Sequence, residues 1–178
     1  MSHIVLERLR RKFGDAILDT HSQHGNDTAL VEPTKLSQIA EFLRDDRELQ
    51  FDLPIDCTAV DYLGKRDVRF EVVYHLCSTK RRHRLRLKVQ VTEADPSCPS
   101  LTAVWPGMNW HEREAWDLYG IRFTGHPNLK RVLMYEEFVG HPLRKDYPID
   151  RRQPLIEMRP VAQVPTQKHP PAELLNKP

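Results

Sequence analysis

What is scarce in this chain narrows it first. Its 178 residues include three cysteines, Cys57, Cys77 and Cys98, odd in number and far apart. No Cys-x-x-Cys pair occurs, so neither a disulfide framework nor a thiolate-ligated cluster is supported, and the thiols read as those of a reducing compartment. Glycine contributes only 7 residues, and no glycine-rich phosphate loop or nucleophile elbow is present. No apolar run approaches the roughly 20 residues that cross a bilayer. Charges begin at Glu7 and Arg8, which is not a signal-peptide pattern. The net charge of +2 is too small on its own to argue for nucleic acid. These absences imply a soluble protein whose contact with any membrane runs through a partner.

What is there is polar and unevenly distributed. Hydrophobic residues make up 39% and charged residues 29%, with a mean hydropathy of -0.60. Part of the chain is therefore extended, solvated or packed on a partner. Leu6, Leu9, Phe13 and Ile17 recur at helical spacing, with Gly14 ending or bending that helix. Thr28 to Val31 reads as a short strand. Thr34 stands as N-cap to a second helix that buries Leu36, Ile39, Ala40 and Leu43. A strand is expected over Ile55 to Leu63. Two clearer strands follow: Val68, Phe70, Val72, Tyr74 and Leu76 alternate with Arg69, Glu71, Val73 and His75, and His83 to Val91 alternates in the same way. Ser78 to Arg81 would join them as a hairpin. Keeping both apolar sets on one face requires opposite residues to sum to an odd number. Tyr74 opposite Leu85 meets that condition and sets Glu71 opposite Lys88 as an ion pair. Together these elements predict an α+β fold, a mostly antiparallel sheet with helices packed on one face. Residues 1–141 would form that domain. Eight of the 14 prolines fall between Pro142 and Pro178, so residues 142–178 are expected as an extended, polyproline-like tail wrapping on partner subunits.

The densest stretch runs from Trp105 to Pro148. It mixes all three tryptophans with Glu112, Arg113, Glu114, Asp117, Arg144, Lys145 and Asp146. Large apolar side chains interleaved with charge describe a buried subunit interface. Asn109 and Glu112 have capping-box spacing for a helix from Trp110 to Tyr119, and Gly120 is placed to end it. Arg113 and Asp117 are i,i+4 partners within it. Catalytic readings fail on geometry. His111 to Glu114 point about 100° apart per residue and do not converge on one metal, and Glu112 and Glu114 face apart, so they make no acid/base pair. His126 and His141 precede proline and read as turn residues. A different class, a nucleic-acid-binding α+β module, rests on the basic face Arg82, Arg84, Arg86 and Lys88. No aromatic residue is interleaved there for base stacking, so a solvated or partner-facing strand is the better reading.

The stretch also resembles a known family. The pattern W-x-x-x-x-W-x-E-R-E-x-x-D-x-x-G-I-x-F-x-G-H-P is carried by Trp105, Trp110, Glu112, Arg113, Glu114, Asp117, Gly120, Ile121, Phe123, Gly125, His126 and Pro127. It continues through Leu129, Arg131 and Leu133 to Pro142, Leu143, Arg144, Lys145, Asp146, Tyr147 and Pro148. This is similar to the C subunit of proton-translocating NADH:quinone oxidoreductase, respiratory complex I. The resemblance covers about Leu30 to Pro148 and includes Thr58 to Tyr62 and Arg69 to Tyr74. It implies a non-redox member of the peripheral arm, on the cytoplasmic side of a bacterial membrane. Such a chain packs in a hetero-oligomer, chiefly on the hydrogenase-like quinone-site subunit. It implies that FMN and the iron–sulfur clusters sit on other subunits, and that Trp110, Glu112, Arg113, Glu114, Asp117, Gly120, His126, Pro127, Arg131 and Pro142 to Asp146 serve as interface residues. Similar subunits occur in related quinone reductases and membrane hydrogenases. An end at Pro178 implies a chain separate from the quinone-site subunit rather than fused to it.

Overall fold

Period-two apolar runs build the sheet of this protein, and apolar stripes of period 3.6 build the helices that cover it. The structure, a computed structural model, describes residues 3–155. Strands β1 (Ile17–His21), β2 (Thr28–Val31), β3 (Leu53–Asp61), β4 (Phe70–Cys77) and β5 (Arg84–Val91) form one sheet in the order β1-β2-β5-β4-β3. Three of its four pairings are antiparallel, and β2 runs parallel to β5. A parallel partner requires a long crossover, which is supplied by α2 (Leu36–Asp45) together with β3 and β4. Strands β6 (Ser97–Pro99) and β7 (Arg122–Thr124) pair in parallel as a separate ribbon, bracketing α3 (Met108–Tyr119). The helix α1 (His3–Phe13) precedes the sheet.

One apolar cluster joins all of these. Phe70, Val72, Tyr74 and Leu76 of β4 and Leu85, Leu87, Val89 and Val91 of β5 point into it. It also takes Val5, Leu6 and Leu9 from α1, Leu36, Ile39, Ala40 and Leu43 from α2, and Met108 and Ala115 from α3. The helices therefore lie on one face of the sheet, as the α+β expectation required. The other face stays open and carries Leu30, Thr58, Val73, His75, Arg86 and Lys88.

Several local expectations are corrected. Ile17 is the first residue of β1, not a helix position, because Gly14 at φ +48° starts a 3-10 turn that redirects the chain. Thr34 lies inside a 3-10 turn, Pro33–Lys35, and α2 starts without a side-chain cap. The third strand is Leu53–Asp61 rather than Ile55 to Leu63.

The hairpin register is offset by two: Tyr74 stands opposite Leu87, and Glu71 opposite Gln90. A shift of two leaves every side chain on its own face, so the apolar pattern accepts both registers. The turn decides between them. The expected register would leave Thr79-Lys80 as a two-residue turn, which strongly favours Asn or Gly at positive φ. The chain instead pairs Ser78 N–H with His83 O at 2.9 Å, and Arg82 takes the single positive φ of the loop, 57°. Glu71 and Lys88 still meet, diagonally, at 2.7 Å.

Leu87 is fully buried on β5, which has strands on both sides. Leu87→Ala is expected to lower unfolding stability by about 2–5 kcal/mol, read as a shift of the urea midpoint at constant slope.

Candidate docking site

A helix ends with four carbonyls that have no partner inside it. For α3 all four find donors at the helix stop or in an irregular strap, residues 125–153. Gly120 N–H returns to Trp116 O at 2.7 Å, His141 Nδ1 meets Asp117 O at 2.9 Å, Leu143 N–H meets Leu118 O at 3.1 Å, and Arg144 Nε donates to Tyr119 O at 2.6 Å. Gly120 holds φ +75°, and a Cβ there would come within 2.6 Å of the His141 ring and the Arg144 guanidinium. Both conformation and space demand glycine. Burial and the nearby guanidiniums of Arg144 and Arg131 lower the pKa of His141, so the neutral ring donates from Nδ1.

The strap is gripped a second time from inside the helix. Asp117 is completely buried, and its Oδ2 accepts the consecutive N–H groups of Val132, Leu133 and Met134 at 2.9–3.0 Å. Its Oδ1 takes Arg131 Nη1 at 2.5 Å, and Arg131 also donates to Phe138 O and Gly140 O. Burial raises the Asp117 pKa, but these donors outweigh it and leave the carboxyl below its ordinary range. Arg113 does not pair with Asp117 as the i,i+4 spacing suggested; it donates to Lys130 O and Arg131 O at 2.9 and 3.0 Å.

A third anchor holds the far end. Asp61, at the end of β3, is bound by both forks of Arg69 at 2.9 and 3.1 Å and accepts Lys145 N–H at 2.9 Å. Arg69 also pairs with Asp146 at 2.7 Å and with Glu93. Residues 142–153, where the tail was expected to start, thus turn back on this chain, with successive bonds Arg144 N–H to His141 O, Tyr147 N–H to Arg144 O and Arg151 N–H to Pro148 O. The expected tail beyond, residues 156–178, lies outside the described residues.

Glu112 is not the capping-box partner of Asn109. Helix α3 starts one residue before Asn109, with no side-chain cap. Glu112 is fully buried and reaches sideways, accepting Leu101 N–H at 2.7 Å and Ser100 Oγ–H at 2.6 Å. With no cation beside it, burial raises its pKa to about 7 against the pull of those two donors.

Arg113, Asp117, Arg131, Arg144 and Asp146 thus find partners within the chain, while Glu114 and Lys145 are exposed. Large apolar side chains also face outward: Trp110 at 62% exposure, Leu133 at 55%, and Tyr135, Val139 and Leu143 between 39% and 47%. Arg113 lies over the Trp110 ring at 4.9 Å. An open groove of about 460 Å³ runs between Arg113, Trp116, Leu129, Arg131, Met134 and Tyr135. Glu114 and Pro127 are exposed, Pro142 half-buried, and His126 turns the chain, with Nε2 at 3.2 Å from Asn109 O. Asp61, Arg69, Ser100 and Leu101 were not singled out from the sequence as partners of the charged stretch. The available signal was opposite charge inside period-two runs, which does not say what each charge meets. Among the described residues no three His, Cys, Asp or Glu side chains stand grouped as a metal site, and no helix is long and apolar enough to cross a membrane.

The protein is thus a mixed five-stranded sheet covered by helices on one face, with an irregular strap clasped to the end of α3. Residues 29–153 match the family model described as respiratory-chain NADH dehydrogenase, 30 Kd subunit, and the chain belongs to that family. It is 54% identical over 145 residues to the C subunit of NADH-quinone oxidoreductase from Roseiflexus sp. strain RS-1, covering 82% of this chain and 83% of that one. The corresponding C subunit of Geobacter sulfurreducens is 48% identical over 142 residues, covering 80% and 86%. A solved structure of a trypsin-resistant fragment of Nqo5 superposes with a TM-score of 0.60 at 31% identity, over 71% of this chain and all of that one. A chain of the membrane-bound sulfane sulfur reductase, an archaeal respiratory membrane complex, shares the fold with a TM-score of 0.67 at 20% identity, over 82% and 84%.

Two outcomes test this clasp. Asp117→Ala is expected to cost about 3–5 kcal/mol, because Arg131 and three N–H groups lose their acceptor, and to abolish hydrogen-exchange protection at Val132, Leu133 and Met134; unchanged protection there would refute the grip. Glu112 should act oppositely to Asp117 with pH. Its folded pKa of about 7 lies above its ordinary 4.5, so between those values the native state binds more protons than the unfolded chain. Its contribution to stability therefore falls as pH rises through that window and levels off above it. Glu112→Gln, which keeps an acceptor for Leu101, should flatten that decline in urea midpoints taken from pH 5 to 8.

Proposed function

We propose that this chain is a non-redox scaffold in the peripheral arm of a proton-translocating NADH:quinone oxidoreductase. In this reading it sits on the cytoplasmic side of the bacterial membrane and packs on the quinone-site subunit. The observation that carries the proposal is the strap. It is fastened to α3 and β3 by its own chain's donors and acceptors, has no helix or strand of its own, and leaves Leu133, Tyr135, Val139 and Leu143 exposed, as is Trp110 of α3. Aromatic anchors such as Trp110 and Tyr135 are the usual energetic centre of an interface, and obligate interfaces bury on the order of 2,000 Å² or more.

Electron transfer from NADH through FMN and iron–sulfur clusters to quinone then proceeds on neighbouring subunits, and this chain binds none of those groups. The chemistry of its two buried thiols supports this. Burial raises Cys57 well above the ordinary thiol range and pushes Cys98 up to about 12, which keeps both protonated and poor as ligands. The fold shared with the archaeal sulfane sulfur reductase chain favours a second reading, the equivalent component of a related respiratory membrane complex. Co-purification of the tagged chain from detergent-solubilised membranes separates the two: a flavin-containing NADH-oxidising module among its partners supports the first, and its absence from an intact complex supports the second.

Arg113→Ala and Asp117→Ala are each expected to lower the amount of assembled complex by about tenfold, while turnover per assembled complex stays within about twofold. Normal assembly with lost turnover would instead assign these residues a direct part in the reaction.

A further inference from the structure

The open face of the five-stranded sheet is ordered by register. His21, Thr28, Arg86, His75 and Asp56 lie in one row across β1, β2, β5, β4 and β3, with Arg84 opposite Cys77 in a nearby row. The cations of this face differ in what they meet. Lys88 donates to Glu71 at 2.7 Å, and Glu71 also takes Arg66 at 3.2 Å. Among the described residues, none of the ion pairs within 4.0 Å includes Arg84 or Arg86.

Both arginines line a recess of about 180 Å³, together with Asn26, Asp27, Ile55 and His75. Asp27 does not neutralise them at contact distance; its Oδ1 is held by Ser22 Oγ at 2.6 Å, and its carbonyl accepts Arg86 N–H at 2.8 Å. Asp56 stands beyond His75 in the row and lies 3.6 Å from His111. Burial and the Arg86 charge lower the pKa of His75, so a neutral imidazole sits between these groups. Ile55, 44% exposed, supplies an apolar edge.

Two arginines that make no ion pair among the described residues and line one small concavity match a planar carboxylate, which accepts paired N–H donors. The recess admits a side chain, and its lining holds no Phe, Tyr or Trp on which a nucleotide base could stack. We propose that it is a carboxylate-binding site that receives an Asp or Glu side chain from a neighbouring subunit. The open sheet face is then a second docking surface, separate from the strap. This inference rests on the reading of the chain as a scaffold inside an assembly.

Purified complex containing Arg86→Lys chain tests it, because a lysine amine couples to a touching carboxylate under zero-length carbodiimide treatment and an arginine does not. The expected result is a covalent link between position 86 and an Asp or Glu of another subunit, absent from wild-type complex. Links only to Asp27 or Asp56 of this chain, or no link in a complex shown to contain it, would overturn the proposal. In a second arm, Arg84→Ala with Arg86→Ala should leave the melting temperature of the isolated chain unchanged and reduce its retention in complex at high salt about tenfold. Equal retention would overturn it. Saturable binding of inorganic phosphate at His75 of the isolated chain, with no intersubunit link at position 86, would assign the recess to a free anion instead. Absence of the chain from the purified complex would remove the scaffold reading itself.

Discussion

A buried carboxylate has to be matched, and the matching of Asp117 organises the most irregular part of this protein. The strap that follows β7 has too little regular structure to hold itself, since its backbone groups find few partners within it. Asp117 gathers three consecutive N–H groups and Arg131 onto one side chain. The free carbonyls of the same helix end then take His141, Leu143 and Arg144. A cationic side chain at a helix C-terminus is also favoured by the helix dipole. One helix end thus serves as the fastening point for both halves of the strap, and Gly120 is the only residue type that fits beneath it.

Helix α3 carries two buried carboxylates with opposite characters, and their donors explain the difference. Asp117 faces a guanidinium and three amides, which favour its charged form. Glu112 faces one hydroxyl and one amide, among Cys57, Cys98 and Tyr74, whose own pKa values are raised by burial. Desolvation wins where donors are few and loses where they are many. The first carboxylate fastens a surface element; the second ties α3 to the Ser100–Leu101 bend between β6 and the helix.

With Arg113, Asp117, Arg131 and Arg144 engaged inside the chain, the two proposed docking surfaces rest on other residues. One is apolar, where Trp110, Leu133 and Leu143 are exposed; the other is cationic, where the open sheet carries Arg84 and Arg86. The apolar surface belongs to α3 and the strap, and the cationic one to β5. In the proposed scaffold role, two chemically distinct faces would hold neighbours in fixed relation.

The apolar periods made the helix stripe Leu36, Ile39, Ala40 and Leu43, the alternation along β4 and β5, and the stop at Gly120 readable from the chain alone, because each depends on side chains only a few residues apart. The charged stretch was readable as important but not as an internal clasp. Spacing paired Arg113 with Asp117, whereas Asp117 found Arg131 and Asp61 found Lys145 across 84 residues. The hairpin register was legible only to a multiple of two, and the turn chemistry of Thr79 to Arg82 settled it. Residue order was enough to say which side chains face the core, because burial repeats with local geometry. Which charge meets which was fixed only on folding, because a buried ion takes whichever donor the assembled backbone brings within about 3 Å, at whatever distance along the chain.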